Sequence, residues 1–280
     1  MKISFRVGNL LVLIILMTGI GTYAEDKPTK KETPEEQYKK LEKDQYDSRE
    51  KILKKYRAVP DSPNQKSEQQ KILKEYSAIS DEFGEKILQL ARENPQESFA
   101  VKAYAGVIFS DKLTPKDVEN LQKYHSKSKE IGSLILSFSF RGINTKNPEL
   151  TSALSALLES IVKDNPEKDN RGLAQFILVK SEVSKFEKEP GNESEAKKRA
   201  AEIEKRFNKL IEKYGDCPSV YAFRKGETLG DLAKKELFEF QHLRVGLVAP
   251  EIQAEDIDGV KFKLSDYRGK VILLDFWGDW

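Results

Sequence analysis

Cysteine and histidine are scarce in this sequence. Its 280 residues include one cysteine, Cys217, and two histidines, His125 and His242. Within this chain a lone cysteine excludes an intramolecular disulfide, and so few potential ligands exclude a Cys/His zinc cluster. Both histidines lie in segments rich in lysine and glutamate, so we expect solvated or helix-end side chains. Cys217 follows a predicted helix and is expected to be a structural thiol, although an exported free cysteine can also form an intermolecular disulfide.

An excess of charge of one sign is also missing. From Glu25 onward 46 basic residues face 46 acidic ones, with the two signs interleaved. Such a surface has no long-range attraction for a phosphate backbone, so we expect no nucleic-acid partner. The length and the 38% share of hydrophobic residues are sufficient for one large or two ordinary buried cores.

Residues 1–24 have the pattern of a secretory signal peptide. Lys2 and Arg6 precede an apolar run at 10–17, and small residues lie before Glu25 where a signal peptidase cleaves. The run is shorter than the roughly 20 residues that a membrane span needs. We therefore expect cleavage after Ala24 and a periplasmic or secreted mature protein with no integral membrane span. An uncleaved anchor is the alternative.

Apolar residues then recur at helical spacing from Thr33 to about His242. Thr33 can cap a helix that begins at Pro34, and Glu36 completes a capping box. Further stripes, each opposed by lysine and glutamate, occupy 72–90, 100–108, 150–162 and 203–214. We predict a helical domain over residues 25–242, arranged as a bundle or as a tetratricopeptide-like stack.

Several helix boundaries follow from single residues. Asn94-Pro95 and Asn165-Pro166 predict helix ends, because a residue that precedes proline is disfavoured in the helical conformation. The segment 134–140 alternates like a strand in its second half, but its neighbours favour a helix. Asn192-Glu193-Ser194 matches a glycosylation acceptor and is better explained as a polar helix start.

The pattern changes at Val245 from helical to strand and turn. The runs 251–257 and 260–264, joined by Asp258-Gly259, predict a β-hairpin. A polar connection at 265–270 leads to the nearly continuous apolar run 271–276. A run of this kind predicts a strand that is buried on both faces.

Residues 245–280 contain several motifs in a fixed order, namely Val245-Gly246, Ala249-Pro250, Asp256-Ile257-Asp258-Gly259, Leu264-Ser265-Asp266-Tyr267-Arg268-Gly269-Lys270 and Leu274-Asp275-Phe276-Trp277-Gly278-Asp279-Trp280. With these motifs the segment resembles the thioredoxin-like redoxin superfamily, which contains thiol–disulfide oxidoreductases and the alkyl hydroperoxide reductase/thiol-specific antioxidant proteins. The resemblance implies that residues 243–280 form the first hairpin and strand of an incomplete thioredoxin-like α/β domain. The fold class expected for the whole chain is mainly α.

The resemblance also implies an active site around the end of the chain. In the family a Phe-Trp-x-x-Trp strand leads into Cys-x-x-Cys at a helix start, where the helix dipole lowers the pKa of the attacking thiol. Trp277 and Trp280 correspond to the flank of that site, and the nucleophile would follow Trp280. Asp275 corresponds to a buried acid that assists proton transfer. The alternative for Asp275 is a solvated side chain on an open edge.

The implied function is that of an exported thiol–disulfide oxidoreductase that acts on a protein disulfide or a peroxide, with neither cofactor nor metal. Its helical domain would dock a protein partner. A non-enzymatic helical interaction module with a vestigial redoxin tail is the alternative, and a peroxidase would need a peroxidatic cysteine that this chain lacks. We also expect the gene to continue past Trp280 with a selenocysteine, encoded by UGA, in place of the attacking cysteine. A trimmed chain, a frameshift and a nonsense mutation are the alternatives.

Overall fold

The computed structural model describes residues 32–108, 112–219 and 226–275. This part of the chain contains nine α-helices, followed by one two-stranded antiparallel sheet and a 3₁₀ turn at Leu264–Tyr267. The helices are α1 (Pro34–Arg57), α2 (Gln65–Glu93), α3 (Phe99–Gly106), α4 (Pro115–His125), α5 (Ile131–Arg141), α6 (Pro148–Asp164), α7 (Lys168–Lys188), α8 (Glu193–Tyr214) and α9 (Leu229–His242), and the strands are β1 (Gln253–Glu255) and β2 (Lys261–Lys263). The predicted mainly-α fold is confirmed. No helix in the described ranges is both long enough and apolar enough to cross a membrane.

Most helices pack against the next helix and against the next but one. Packed neighbours are α1 with α2, α2 with α3, α3 with α4, α6 with α7, α7 with α8 and α8 with α9. Packed helices two apart are α3 with α5, α4 with α6, α5 with α7 and α7 with α9. Contacts of this kind are typical of helix pairs stacked in sequence.

Helix α7 is central to the packing because it contributes to both hydrophobic cores. Ala174, Ile177 and Leu178 belong to a large core built by α1 to α7. Phe176 and Val179 belong to a smaller core shared with α8 and α9. Since consecutive side chains point to different sides of a helix, burial of this whole run means that α7 is covered on more than one face.

The predicted helix ends agree with the structure. Helix α1 begins at Pro34, α2 ends at Glu93, and α6 ends at Asp164. The segment 134–140 is helical, within α5. Asn192 caps α8, where its side chain accepts a hydrogen bond from the Glu195 backbone N–H at 3.0 Å. This cap supports the interpretation of the Asn-Glu-Ser triplet as a polar helix start.

His125 is at a helix end but is not solvated. It is the last residue of α4 and is only 4% exposed. Its Nε2 donates a hydrogen bond to the Pro95 carbonyl at 2.8 Å, since a carbonyl can only accept. Of the two alternatives expected for His125, the helix-end position is confirmed and solvation is not, because the loop after α2 folds over the side chain. His242 is exposed at the end of α9, where its ring lies 4.6 Å from that of Phe238.

The predicted hairpin is present, but the predicted strand after it is not. β1 and β2 pair antiparallel with Ala254 opposite Phe262. Residues 271–275 have no regular secondary structure and are all exposed. A buried strand needs hydrogen-bonding neighbours on both sides, and within the described residues β1 and β2 pair only with each other. The prediction of a strand at 271–276 was therefore wrong for its described part.

Candidate functional site

The candidate site is the segment from Val248 to Asp275, where the hairpin is held by backbone and carboxylate hydrogen bonds. Asp256 accepts from the backbone N–H groups of Asp258 at 3.0 Å and of Val260 at 2.8 Å. Gly259 has a φ of +79°, which a residue with a side chain rarely adopts. The predicted Asp-Gly turn is therefore confirmed, and its chemistry fixes the hairpin register.

The polar connection after the hairpin is tied back to the segment before it. The Glu251 carboxylate accepts a hydrogen bond from the Ser265 backbone N–H at 3.0 Å. Hydrogen bonding to Ser265 is the main cause of a pKa for Glu251 below its usual range. The Leu264 backbone N–H donates to the Ile252 carbonyl at 2.9 Å, so this turn continues the hairpin ladder. These contacts give 251–267 a defined shape.

An open groove of about 380 Å³ lies between this turn and the apolar run that follows. Val248, Leu264 and Tyr267 line one part of it, and Ile272 and Leu274 line another. Every described residue from Leu243 to Asp275 is exposed or only half-buried. The groove is therefore an apolar surface that the described part of the chain leaves uncovered.

Asp275, the predicted proton-transfer residue, lies at the end of the described chain and is exposed. Its position agrees with the solvated alternative, and the described residues do not bury it. Trp277 and Trp280, the predicted flank of the active site, lie outside the described residues, as does the signal peptide at 1–24. The catalytic assignment of Asp275 thus stays a prediction. So does the division into domains after His242.

The surroundings of Cys217 do not favour a reactive thiol. The side chain is 2% exposed, and its Sγ lies 3.9 Å from the Lys168 carbonyl oxygen. Burial raises the pKa of this thiol to about 11, and the Asp169 carboxylate adds to the effect. A nucleophilic cysteine needs the opposite, an accessible site that stabilises the thiolate. These features support the prediction of a structural thiol within the smaller core.

An ion pair between a half-buried arginine and a buried aspartate in the helical region was not predicted. Arg92 donates two hydrogen bonds to Asp117, at 3.0 Å from Nε and 2.8 Å from Nη2. Thr114 also donates to Asp117, both from its hydroxyl at 2.8 Å and from its backbone N–H at 2.9 Å. Burial by itself raises the pKa of Asp117, but these bonds outweigh it and hold the pKa below its usual range.

The ion pair has a structural role. Arg92 lies in the last turn of α2 and Asp117 in the first turn of α4, and Arg92 also donates to the Lys112 carbonyl at 2.9 Å. The pair therefore ties the loop between α3 and α4 to α2. Only the Thr114–Asp117 capping box could have been found from the sequence, because it is local; the long-range partner could not.

Comparison with known proteins gives short matches to thiol–disulfide oxidoreductases. The chain is 47% identical over 36 residues to the thiol-disulfide oxidoreductase ResA of Geobacillus thermodenitrificans and 50% identical over 36 residues to ResA of Geobacillus kaustophilus. It is 38% identical over 40 residues to ResA of Bacillus thuringiensis. The first two matches cover 13% of this chain and 21% of the relative, and the third covers 14% and 23%. Neither a family model nor a solved structure matches the chain.

These matches support a thioredoxin-like relationship for a short part of the chain. A match of 36 residues has the same length as the segment from Val245 to Trp280 that carries the redoxin resemblance. The chain spans about a fifth of the length of the curated relatives that it matches.

Proposed function

We propose that this chain is part of an exported thiol–disulfide oxidoreductase whose helical region precedes the redox domain. The observation that carries the proposal is the 47–50% identity over 36 residues to proteins named as thiol-disulfide oxidoreductases. The hairpin with its Asp-Gly turn and the hydrogen-bonded turn at 264–267 support it, since they are the opening elements that the redoxin resemblance implies.

The proposed reaction needs a nucleophile that follows Trp280 in the gene. In a Cys-x-x-Cys site, the first thiolate attacks one sulfur of a substrate disulfide, forms a mixed disulfide and releases one substrate thiolate. The second cysteine then attacks the mixed disulfide, releases the other substrate thiol and leaves an intramolecular disulfide. Two electrons pass from the enzyme dithiol to the substrate disulfide.

Selenocysteine in place of the first cysteine would suit the same step. The attacking group must be an anion at neutral pH, and a selenol titrates well below a thiol. Asp275 would then act as the acid that exchanges a proton with the second sulfur, provided that the complete domain buries it. Trp277 and Trp280 would pack beside the redox pair.

Reading the nucleotides that follow the Trp280 codon is the first test. The proposal requires a cysteine or selenocysteine codon there, a cysteine three codons later, and roughly a hundred further residues with an α/β pattern. The extended protein should reduce insulin in the presence of a dithiol, and replacement of the first redox residue by serine should abolish the activity. If no such pair follows, the non-enzymatic helical module becomes the better explanation.

Export is tested independently of the redox chemistry. The proposed signal peptide predicts that the protein is recovered from outside the cytoplasm and that its mature N-terminus is Glu25. Replacing Leu13 and Ile14 by arginine interrupts the apolar run and should retain the protein in the cytoplasm with Met1 intact. Recovery of a membrane-bound protein that still begins at Met1 would instead support the uncleaved anchor.

A further inference from the structure

Helices α1 and α2 extend beyond both hydrophobic cores as a two-helix arm, residues 42–86. Neither core includes a residue of this range, all of which the structure describes, and Ile52 is the only buried residue in it. Within the described part of the chain, α1 packs extensively against α2 alone. The arm is therefore surrounded by solvent on the sides that its own two helices do not cover.

The two helices of the arm meet along one narrow seam. Arg49 donates a hydrogen bond to the Ser80 hydroxyl at 3.1 Å, and Lys55 pairs with Glu75 at 3.6 Å. Both contacts cross the seam, and they place residues of α1 and α2 side by side when their numbers add up to about 130. They also distinguish two sides of the arm, because positions 49 and 55 lie on opposite sides of Ile52 on a helix.

The side of the arm that carries Arg49 and Ser80 is exposed and mainly uncharged. Tyr46 is 69% exposed and Leu73 is 48% exposed. Positions 46, 49, 53 and 56 on α1, and 73, 77, 80 and 84 on α2, are spaced by three or four residues, so each set forms one stripe. A Cβ at Gly84 would meet no side chain and no other segment within 4 Å. We call this surface the arm face, and around Arg49 and Ser80 it consists of Tyr46, Leu53, Tyr56, Leu73, Ser77 and Gly84.

The arm face has the size of a stable protein interface. At about 1.5 Å per residue the arm is about 28 Å long, and two helices side by side are about 20 Å wide. Two such faces bury about 1,100 Å² when they pack against each other, and specific interfaces bury more than about 1,000 Å². Exposed tyrosine and leucine side chains on a surface of this size indicate a protein partner.

The sign of the charge reverses along the arm. The tip half, residues 51–78, has seven basic and three acidic residues. The base half, residues 42–50 and 79–86, has three basic and seven acidic residues. Two arms packed in parallel would bring like charges together at both ends, whereas two antiparallel arms bring each tip against the other base. The charge pattern therefore favours a second copy of this chain as the partner, in antiparallel order.

Lys74 and Asp81 indicate the register of that pairing. Both are exposed on α2 and are seven residues apart, so they lie on one side of the helix about 10 Å from each other. The side chain of Asp81 is 71% exposed, and its contact with Lys112 is 3.8 Å long, whereas Lys112 bonds to Glu85 at 2.8 Å. A two-fold axis near Ser77 brings Lys74 of each copy against Asp81 of the other.

We propose that the arm face binds the same face of a second copy of this chain, with the two arms antiparallel, so that they form a four-helix bundle. The apolar residues of both faces are covered at its centre, and the pairs between Lys74 and Asp81 lie at its rim. Arg57 and Glu50, also seven residues apart, repeat the same order of charges on α1. The dimer goes beyond the redox function and is independent of any redox domain that follows.

Sedimentation equilibrium of the full chain tests the pairing of charges. The wild type should show a monomer–dimer equilibrium, and Lys74→Glu and Asp81→Lys should each raise its dissociation constant at least about fivefold, because each creates two like-charge contacts. The double variant restores opposite charges and should return to within about twofold of the wild type. A wild type that stays monomeric at about 100 µM, or a double variant as weak as the single ones, would overturn the proposal.

The control for these variants is Lys51→Glu. Lys51 is exposed one turn before Lys55, on the side of the arm opposite to the arm face. The substitution makes the same change of charge as Lys74→Glu and should alter the dissociation constant less than about twofold. An equal loss in Lys51→Glu and Lys74→Glu would mean that general surface charge governs the association, which would contradict the proposed pairing.

The apolar contacts are tested by truncating the two most exposed side chains of the arm face. Tyr46→Ser combined with Leu73→Ser should raise the dissociation constant at least about tenfold, because each loss occurs twice in the dimer. Phe238→Ser truncates an aromatic that is 51% exposed on α9 and is the matched control. Neither this control nor Leu273→Lys should weaken the dimer. A dimer that either of them abolishes would be formed by another surface, and the proposal would be wrong.

The order of the two arms is tested by cross-linking, which does not depend on a change of affinity. Ser77 and Gln70 are exposed and lie seven residues apart on one side of α2. Ser77→Cys, near the two-fold axis, should form an intermolecular disulfide in the presence of diamide. The thiols of Gln70→Cys would be about 20 Å apart and should not. Cys217 is 2% exposed and does not compete. Equal cross-linking of both variants, or of neither, would overturn the proposal.

Discussion

The helical region from Pro34 to His242 and the segment from Leu243 to Asp275 have equally clear sequence patterns, but only the first buries its apolar residues. Leu88, Leu157 and Phe207 are fully buried in the helical region. In the later segment Val271 is 104% exposed and Leu273 is 92% exposed. Both regions are rich in apolar residues. The difference in burial therefore comes from the elements that surround those residues.

The difference follows from where each kind of element finds its hydrogen bonds. A helix forms its backbone bonds within its own segment and needs neighbours only to cover one apolar stripe. A strand forms them with other strands, and a hairpin alone is marginally stable. Nine helices can cover one another in the described ranges, whereas β1 and β2 have only each other.

The largest expected difference in the free energy of unfolding comes from truncating one leucine to alanine in each region. Leu157→Ala removes a fully buried side chain from α6 and should lower the free energy of unfolding by about 2–5 kcal/mol. Leu273→Ala removes an exposed side chain and should change it by less than about 0.5 kcal/mol. Urea unfolding followed by circular dichroism at 222 nm measures both. Similar losses in both variants would show that the later segment is part of the cooperative core.

The next effect concerns the ion pair between Arg92 and Asp117. Arg92→Met leaves the Asp117 carboxylate, 3% exposed, without its cation and should destabilise the chain by roughly 2 kcal/mol at pH 7, below the value for a fully buried pair because Arg92 is 32% exposed. Lys197→Met, which breaks the exposed pair with Glu193, is the control and should have no measurable effect. A loss of equal size in the control would contradict the structural role of the Arg92–Asp117 pair.

The pH dependence of this pair has a definite sign. The folded-state pKa of Asp117 is lowered, so its stabilising contribution is present above the unfolded pKa of about 4 and is lost as the pH falls through the lower folded pKa. The stability difference between the wild type and Arg92→Met should therefore shrink from pH 7 toward pH 3. A difference that stays constant across that range would mean that Arg92 acts through packing alone.

Local signals predicted the helix boundaries, and long-range contacts account for what was missed. Pro34, Asn94 and Asn165 set boundaries through the conformations that proline and the residue before it allow. Helix α7 was not singled out, because a helix covered on several faces has no single stripe. The continuous apolar run at 176–179 was the signal that could have revealed it.

The candidate site could be predicted only in part, for the same physical reason. The Asp-Gly turn is local, so the hairpin was predicted at its observed position. The strand at 271–276 and the burial of Asp275 depend on neighbouring strands and helices that the described residues do not supply. The helix-end position of His125 was among the expectations, but its burial could not be predicted, because the loop that carries Pro95 is 30 residues away in sequence.

A smaller effect on stability tests where the cooperatively folded region ends. Thr228 caps α9 by accepting a hydrogen bond from the Asp231 backbone N–H at 3.2 Å, and Thr228→Ala should cost about 1 kcal/mol. Thr228→Ser keeps the acceptor and should be nearly neutral. In the later segment Asp266 accepts from the Lys263 backbone N–H at 2.9 Å in a similar turn, yet Asp266→Ala should leave the urea midpoint unchanged. A shifted midpoint in Asp266→Ala would extend the cooperative unit beyond α9.

The smallest effect on stability is expected from removing the apolar run itself. Deleting residues 271–280 should change the free energy of unfolding by less than about 0.5 kcal/mol, because its described part is exposed. Solubility should increase, since the apolar side chains at 271–274 are exposed and an exposed apolar run favours aggregation. Leu273→Lys should increase solubility in the same way without shortening the chain.

In the extended protein of the proposed function, Leu273→Lys should instead prevent folding of the redox domain, because the apolar run would then be a strand buried on both faces. Unchanged or lower solubility of both variants would mean that this segment is already covered, and the contrast between the two regions would no longer hold.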